Sequence, residues 1–288
     1  MEEGLAWLNG QVGLLSEMEV PVNERGFLFA DGIYEVIRVY NSRPFLFEEH
    51  MRRLARSAAA ILLELPFPPE RLAGIARELI DQSRLRDAEI YLQVTRGVAP
   101  RGLGFPSTAQ PTVLLAVKSP RALLLGMREH GVSMATVPDD RWLHCDIKSI
   151  ALLPNVLALE RAHRAGADEA LLVRDGFISE GASSNFFLVR QGILVTPVAD
   201  WRILPGVTRA FVLQLAREGG IPAEERDIPG EELTQAEEAF ITSTFRESTI
   251  SNSLRSNFGG HIRSPFDQHG IEHVNQLVSH RDDSHLVG

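Results

Sequence analysis

The stretch Arg141-Trp142-Leu143-His144-Cys145-Asp146-Ile147-Lys148-Ser149 decides how the rest of the chain is read, and Lys148 decides how that stretch is read. Lysine and arginine together number 29, yet only Lys118 and Lys148 are lysine. Surface charge in this chain is built as arginine. An ammonium group in an apolar neighbourhood can shed its proton, as a guanidinium cannot, and then serve as nucleophile, carbonyl partner or base. Taken alone, Lys148 reads equally well as a chance survivor of an arginine-rich composition, so its surroundings must carry the decision. Cys145, three residues earlier and the sole cysteine, reads as a small core residue rather than a second nucleophile.

Composition narrows the range of partners. A chain of 288 residues can bury a large core, and the usual domain size favours two domains over one. The hydrophobic share of 44% and charged share of 23% are those of a globular protein. A net charge of -9 argues against nucleic acid, which needs a basic stripe to neutralise phosphates. One cysteine leaves no internal disulfide and no cysteine-rich metal site, as a reducing compartment would favour. No apolar run reaches the roughly 18 residues of a membrane span, and Met1-Glu2-Glu3 lacks the basic start of a signal peptide. The expectation is a cytoplasmic protein acting on small molecules, with no metal, membrane or nucleic-acid partner.

Working outward from Lys148, the residue pattern alternates strands and helices. Asn9-Gly10 between short apolar runs predicts a tight hairpin over Leu5 to Leu14. Ile33, Glu35, Ile37 and Val39 alternate with Tyr34, Val36, Arg38 and Tyr40, which predicts a strand with two differently furnished faces. Phe45 to Phe47 is expected to return beside it. Apolar residues at helical spacing predict helices over Glu48 to Leu65 and Glu70 to Arg84. Strands are expected at Glu89 to Arg96 and Thr112 to Val117, and the domain boundary at Ser119 to Gly126. The second half is expected to hold strands at Val132 to Val137, Glu169 to Val173, Asn185 to Val189 and Phe240 to Thr244, with helices over Leu152 to Ala165 and from Pro205 to about Glu218. The free N–H groups at the start of that last helix form an anion site. From Phe245 to Gly288 the apolar positions follow no period, and a poorly ordered tail is expected.

The run Arg141 to Ser149 with Leu152-Leu153-Pro154-Asn155, then Glu180-Gly181-Ala182-Ser183-Ser184-Asn185, then Leu204-Pro205-Gly206-Val207-Thr208-Arg209, resembles the fold-type IV pyridoxal-phosphate aminotransferases. Within that superfamily the chain is most similar to D-amino-acid aminotransferases, from about Leu5 to Thr244. The resemblance implies an α/β fold of two domains, a smaller one at 1–120 and a larger pseudo-barrel at 127–244, with pyridoxal 5′-phosphate at their interface, an atypical tail at 245–288 and a homodimer. It gives Lys148 the role of the amine that holds the cofactor's aldehyde and Glu180 that of the carboxylate against the ring nitrogen. It gives the phosphate to Arg53, Val207, Thr208, Ser243 and Thr244, and the ring face to Leu204. Tyr34 and Arg101 match positions that take the substrate carboxylate, and Arg141 matches a supporting neighbour. The chain departs from the pattern at Leu103, where the best-known members carry a histidine two residues after that arginine. One arm of the carboxylate clamp is missing.

The activity so implied is amino-group exchange between a D-amino acid, such as D-alanine, and a 2-oxo acid, such as 2-oxoglutarate, with Lys148 moving the proton at the substrate Cα. Branched-chain L-amino-acid aminotransferases, (R)-selective amine transaminases and aminodeoxychorismate lyases share the cofactor motifs. Arg101 after Gly97-Val98-Ala99-Pro100 favours D-amino acids over the first two. A cofactor-binding protein without turnover stays open too, because relatives continue after the Ser-Thr strand with a segment this chain lacks.

Overall fold

In the computed structural model, residues 4–120 and 131–244 are described in full, together with the backbone of 247–255 and 261–263. The chain divides into two units. One is Met1–Ala122 with Ile147–Leu152, and the other is Leu123–Asp146 with Leu153–Gly288. The expected boundary at 119–126 lies mostly outside the described residues.

The first unit is built on an antiparallel sheet. Its strands are β1 (Gly4–Leu8), β2 (Gln11–Leu14), β3 (Gly32–Tyr40), β4 (Arg43–Pro44), β5 (Ala88–Thr95) and β6 (Thr112–Lys118), in the order β2-β1-β6-β5-β3-β4. The β1/β2 hairpin turns at Asn9 and Gly10, with φ of 46° and 101°. Its helices are the short α1 (Arg25–Phe29), α2 (Phe47–Ala60) and α3 (Pro69–Ser83). Ile33, Ile37 and Val39 of β3 join Met51 and Leu54 of α2 and Leu72, Ile75 and Leu79 of α3 in one apolar core.

Two local predictions over this region differ from the structure for identifiable reasons. The returning strand is Arg43–Pro44, and Phe47 already starts α2. That helix stops at Ala60 rather than Leu65, because Arg96 at the end of β5 donates to the carbonyls of Ile61 and Leu62 at 2.7 and 2.9 Å, and Leu62 turns to φ 55°. A guanidinium that satisfies the last carbonyls takes the place of a further helical turn.

The second unit holds a mixed sheet. Its strands are β7 (Val132–Pro138), β8 (Glu169–Arg174), β9 (Phe177–Gly181), β10 (Asn185–Arg190), β11 (Ile193–Thr196), β12 (Ala223–Glu225), β13 (Ile228–Pro229), β14 (Glu238–Ser243), β15 (Glu247–Arg255) and β16 (His261–Arg263). They run in the order β12-β11-β10-β14-β15-β7-β8-β9-β13, with β16 beside β15. Its helices are α4 (Leu153–Arg164) and α5 (Val207–Glu218). Ala158 and Ala162 of α4 pack with Ala135, Ala170 and Leu172. Val212, Leu213 and Ala216 of α5 pack on Phe187 and Phe240, whose rings stack 4.9 Å apart.

Two further features depart from the residue pattern. The segment 147–152, read as part of the second domain, pairs with the first unit: Ile33 and Ser149 form an antiparallel bridge, and Ile147 packs against the first core. Within the segment read as a tail, Glu247–Arg255 is a strand between β14 and β7, antiparallel to one and parallel to the other. Two neighbouring ladders can hold a strand that its own side chains do not announce. The remainder of 245–288 lies outside the described residues.

Candidate active site

On β3, the face carrying Ile33, Ile37 and Val39 is buried in the apolar core, and Glu35 sits on that same face with no exposure at all. A carboxylate there needs partners, since an unpaired buried charge is prohibitively costly. Arg53 provides two hydrogen bonds, Nε to Oε1 and Nη2 to Oε2, each 2.8 Å. His50, three residues earlier on the same face of α2, places Nδ1 2.7 Å from Oε2. Burial pushes the Glu35 carboxyl up, but Arg53 and then His50 outweigh it and hold the pKa at about 2. Glu35 is therefore ionised at neutral pH and can only accept, so Nδ1 of His50 is the donor. The His50 pKa is lowered, by burial first and against the pull of Glu35.

A depressed carboxyl stabilises the fold above its unfolded pKa, and that contribution is lost as pH falls through the folded value. Glu35 should thus supply about 3 kcal/mol above pH about 4.5 that disappears towards pH about 2. Urea unfolding between pH 5 and 2 measures it, and Glu35→Gln is expected to flatten the acid limb.

Lys148 hangs on this same frame by its backbone. Its carbonyl accepts from the Tyr34 N–H at 3.0 Å, and its N–H donates to Ser57 Oγ of α2 at 3.2 Å. Ile150 N–H donates to Gly32 O at 3.0 Å, so the segment runs as an added edge along the start of β3. Half-buried, Lys148 places Nζ 4.3 Å from the centre of the Tyr34 ring, within range of a cation–π contact. Tyr34 in turn lies 5.9 Å from the Tyr91 ring. Tyr91 donates to Gln93 Oε1 at 2.6 Å, and burial raises its pKa to about 12.

Arg101 is exposed, its guanidinium 5.4 Å from the Phe29 ring centre, and Leu103 beside it is 86% exposed. Their loop is tied down by Arg25, which donates to the carbonyls of Gly102 and Gly104 at 2.7 and 3.3 Å while pairing with Asp31 at 2.8 Å.

In the second unit the focus is Glu180, near the end of β9 and buried. Arg141 Nη1 reaches Oε1 at 2.5 Å, Asn185 Nδ2 reaches Oε2 at 3.0 Å, and the Leu204 N–H lies 3.1 Å from Oε2. Arg141 is itself held by Asp139 at 2.8 and 3.0 Å, and Asp139 also accepts from Ser179 Oγ at 2.9 Å. Glu169, fully buried, accepts from the Ala182 N–H at 3.1 Å and braces the turn that follows Glu180. Burial raises the Glu180 pKa to about 7 despite Arg141. A carboxyl balanced there is ready to ionise against an added cationic N–H.

Helix α5 begins at Val207 and Thr208. Gly206 precedes it with no side-chain cap, so the first N–H groups are available to an anion. Glycine is required at 206 for space, since a Cβ there would stand 2.0 Å from Asn185 Oδ1. Asn185 is the residue that ties Glu180 to the Leu204 carbonyl, at 2.8 Å. Ser184 Oγ and Thr242 Oγ1, on adjacent paired strands or next to them, are buried without a partner among the described residues. Ser243 ends β14 and Thr244 follows it, both half-buried. Uncapped N–H groups and orphaned hydroxyls can donate to a phosphate, and a buried carboxyl can accept from a cationic ring N–H, so these groups suit a phosphorylated, cationic heterocycle.

The family model described as amino-transferase class IV matches residues 32–252. The chain belongs to this family. A D-alanine aminotransferase of Bacillus licheniformis is 44% identical over 239 residues, covering 83% of this chain and 84% of the relative. That of Staphylococcus aureus (strain N315) is 40% identical over 243 residues, covering 84% and 86%. Among solved structures, the branched-chain aminotransferase of Thermoproteus uzoniensis with norvaline superposes with a TM-score of 0.88 at 27% identity, over 98% of this chain and 96% of that one. A branched-chain aminotransferase of T.th. complexed with N-(5′-phosphopyridoxyl)-L-glutamate gives 0.79 at 25% identity, over 90% and 87%. The protein is thus a fold-type IV aminotransferase.

Of the eleven residues named from the sequence, the first unit holds Tyr34, Arg53, Arg101 and Lys148, with Lys148 against Tyr34 and Arg53 engaged by Glu35. The second holds Arg141, Glu180, Leu204, Val207, Thr208, Ser243 and Thr244, with Arg141 and Leu204 on Glu180. Sequence reasoning passed over Glu35, His50, Ser57, Asp139 and Glu169. For Glu35 a signal existed: an acid at an inward position of an apolar strand face demands a buried cation, and His50 and Arg53 stand at one-turn spacing in the next helix.

Proposed function

We propose that this protein uses pyridoxal 5′-phosphate to move the amino group of a D-amino acid, such as D-alanine, to a 2-oxo acid, such as 2-oxoglutarate. The carrying observation is identity of 44% and 40%, over more than four fifths of the chain, to relatives named D-alanine aminotransferase. When bound, the cofactor supplies the electron sink for the pair released at the substrate Cα.

Each residue then has a part. Lys148 would hold the cofactor's aldehyde through Nζ and, once the substrate amine had taken its place, would carry a proton between the substrate Cα and the cofactor carbon on the far side of the amine nitrogen. The two backbone bonds that fix its main chain limit the motion to the side chain. Glu180 would accept from the ring N–H, its two oxygens aimed by Arg141 and Asn185. Leu204 would pack on the ring. Arg53, the Val207 and Thr208 N–H groups and the Ser243 and Thr244 hydroxyls bind phosphate. Tyr34 and Arg101 take the substrate carboxylate, which leaves Leu103 to contribute an apolar surface where a second cation could have stood. The protein is read as a cytoplasmic homodimer; among the described residues no helix is long and apolar enough to cross a membrane.

A branched-chain L-amino-acid activity is the second reading, favoured by the solved structures at 25 to 28% identity. The experiment that separates the two mixes the loaded enzyme with D-alanine or with L-alanine and follows the cofactor's visible absorbance. Only D-alanine is expected to convert it, and subsequent 2-oxoglutarate should restore it and yield glutamate. Conversion by L-alanine alone would overturn the substrate class and leave the cofactor reading intact. Failure to form glutamate would favour the lyase.

A further inference from the structure

We infer that Glu35 is the positioning residue that makes the cofactor site selective for a phosphorylated ligand, by fixing the guanidinium of Arg53 in one plane. The inference rests on the reading that Arg53 binds the phosphate. It begins from a residue whose presence the fold alone does not explain. Glu35 is wholly buried on the strand face that carries Ile33, Ile37 and Val39, and an apolar set in place of Glu35, Arg53 and His50 together could fill the same space. Replacing buried ion pairs by hydrophobic residues is often neutral or stabilising, so retention of the ions asks for another reason.

The geometry supplies one. An arginine side chain on a helix face has four rotatable bonds and no preferred direction. Here Nε and Nη2 both lie 2.8 Å from Glu35, one on each carboxylate oxygen. Two parallel bonds define the plane of the group, and with it the direction in which Nη1 points. His50 Nδ1 at 2.7 Å from Oε2 then fixes the carboxylate itself, so the fork has no rotational freedom left.

The same tie registers the phosphate partner with the lysine. Glu35 follows Tyr34 on β3, whose N–H binds the Lys148 carbonyl. Arg53 precedes Ser57 by one turn of α2, and Ser57 Oγ accepts from the Lys148 N–H. Glu35 therefore joins strand and helix at the level where Lys148 is suspended from both. A residue that acts in this way touches neither cofactor nor substrate.

The test compares two ligands that differ only in the phosphate. Full-length protein freed of cofactor is titrated with pyridoxal and with pyridoxal 5′-phosphate, and the ratio of dissociation constants is read from ligand absorbance. Glu35→Gln replaces one acceptor oxygen by an NH₂ that faces a guanidinium. It should weaken pyridoxal 5′-phosphate about tenfold and leave pyridoxal within about twofold. Arg53→Ala should collapse the ratio, and adding Glu35→Gln to it should change nothing more. If Arg53→Ala leaves the ratio unchanged, the phosphate reading itself fails. If Arg53→Ala collapses it while Glu35→Gln weakens both ligands in parallel, Glu35 only holds the fold together and the inference is overturned. Should Glu35→Gln not fold, Glu35→Asp keeps the charge but draws the carboxylate back; a lower ratio supports positioning and an unaltered one refutes it.

Discussion

Lys148→Ala is expected to slow amino-group transfer at least ~10³-fold, because on the proposed mechanism one substitution removes both the group that holds the cofactor aldehyde and the base at Cα. Folding should survive. The backbone bonds of residue 148 to Tyr34 and Ser57 do not involve its side chain, and Ile147 and Ser149 keep their places on the first unit. Borohydride treatment of the loaded wild type should attach the cofactor to a peptide containing Lys148, and the variant should carry no label. Lys148→Arg separates charge from chemistry, since a guanidinium keeps the positive charge over Tyr34 but does not deprotonate. It should be as inactive as alanine. Labelling of Lys118, the other lysine, would send the whole assignment back to its start.

The second large effect lies at Glu180. Glu180→Gln keeps shape and most hydrogen-bond capacity but cannot ionise, so it could not play the proposed part of holding a proton on the ring nitrogen. Loss of one such electrostatic contact should lower kcat about 10²- to 10³-fold. Glu180→Ala should do the same, and Arg141 would still be compensated by Asp139 at 2.8 and 3.0 Å. Stability responds with the opposite sign to activity. A carboxyl raised to about 7 favours the fold below its unfolded value near 4.5, and that contribution is lost as pH rises through about 7. The cofactor-free glutamine variant should therefore be at least as stable as wild type at pH 8. Unchanged kcat in Glu180→Gln would remove the acid from the mechanism.

Most of the strands and helices were legible because their apolar residues recur at periods that only one secondary structure satisfies, as in Met51, Leu54 and Ala58 of α2. What escaped depends on contacts distant in sequence. The end of α2 is set by Arg96, more than thirty residues away. Glu247–Arg255 carries four Ser or Thr residues and an Asn, and its neighbours β14, β7 and β16 make it a strand. At the site, Lys148, Glu180 and the α5 start stood out because their residue types have few bland uses in those patterns. Only resemblance marks Arg53, and the alternation that contains Glu35 does not by itself tell a buried face from an exposed one.

The short run from Ile147 to Leu152 belongs to one unit while the chain on both sides of it belongs to the other. No single cut therefore yields two contiguous pieces that match the units. A fragment ending at 122 would lack the lysine, and one extended to 152 would carry 123–146 without the strands that complete it. Recombination between relatives that swaps everything before the middle of the chain would import β3 and α2 from one parent and the lysine they suspend from another. Such chimaeras should assemble only when the bridge at Ile33 and Ser149 is matched between the parents. A crossover should be tolerated best when residues 147–152 come from the same parent as those before 123.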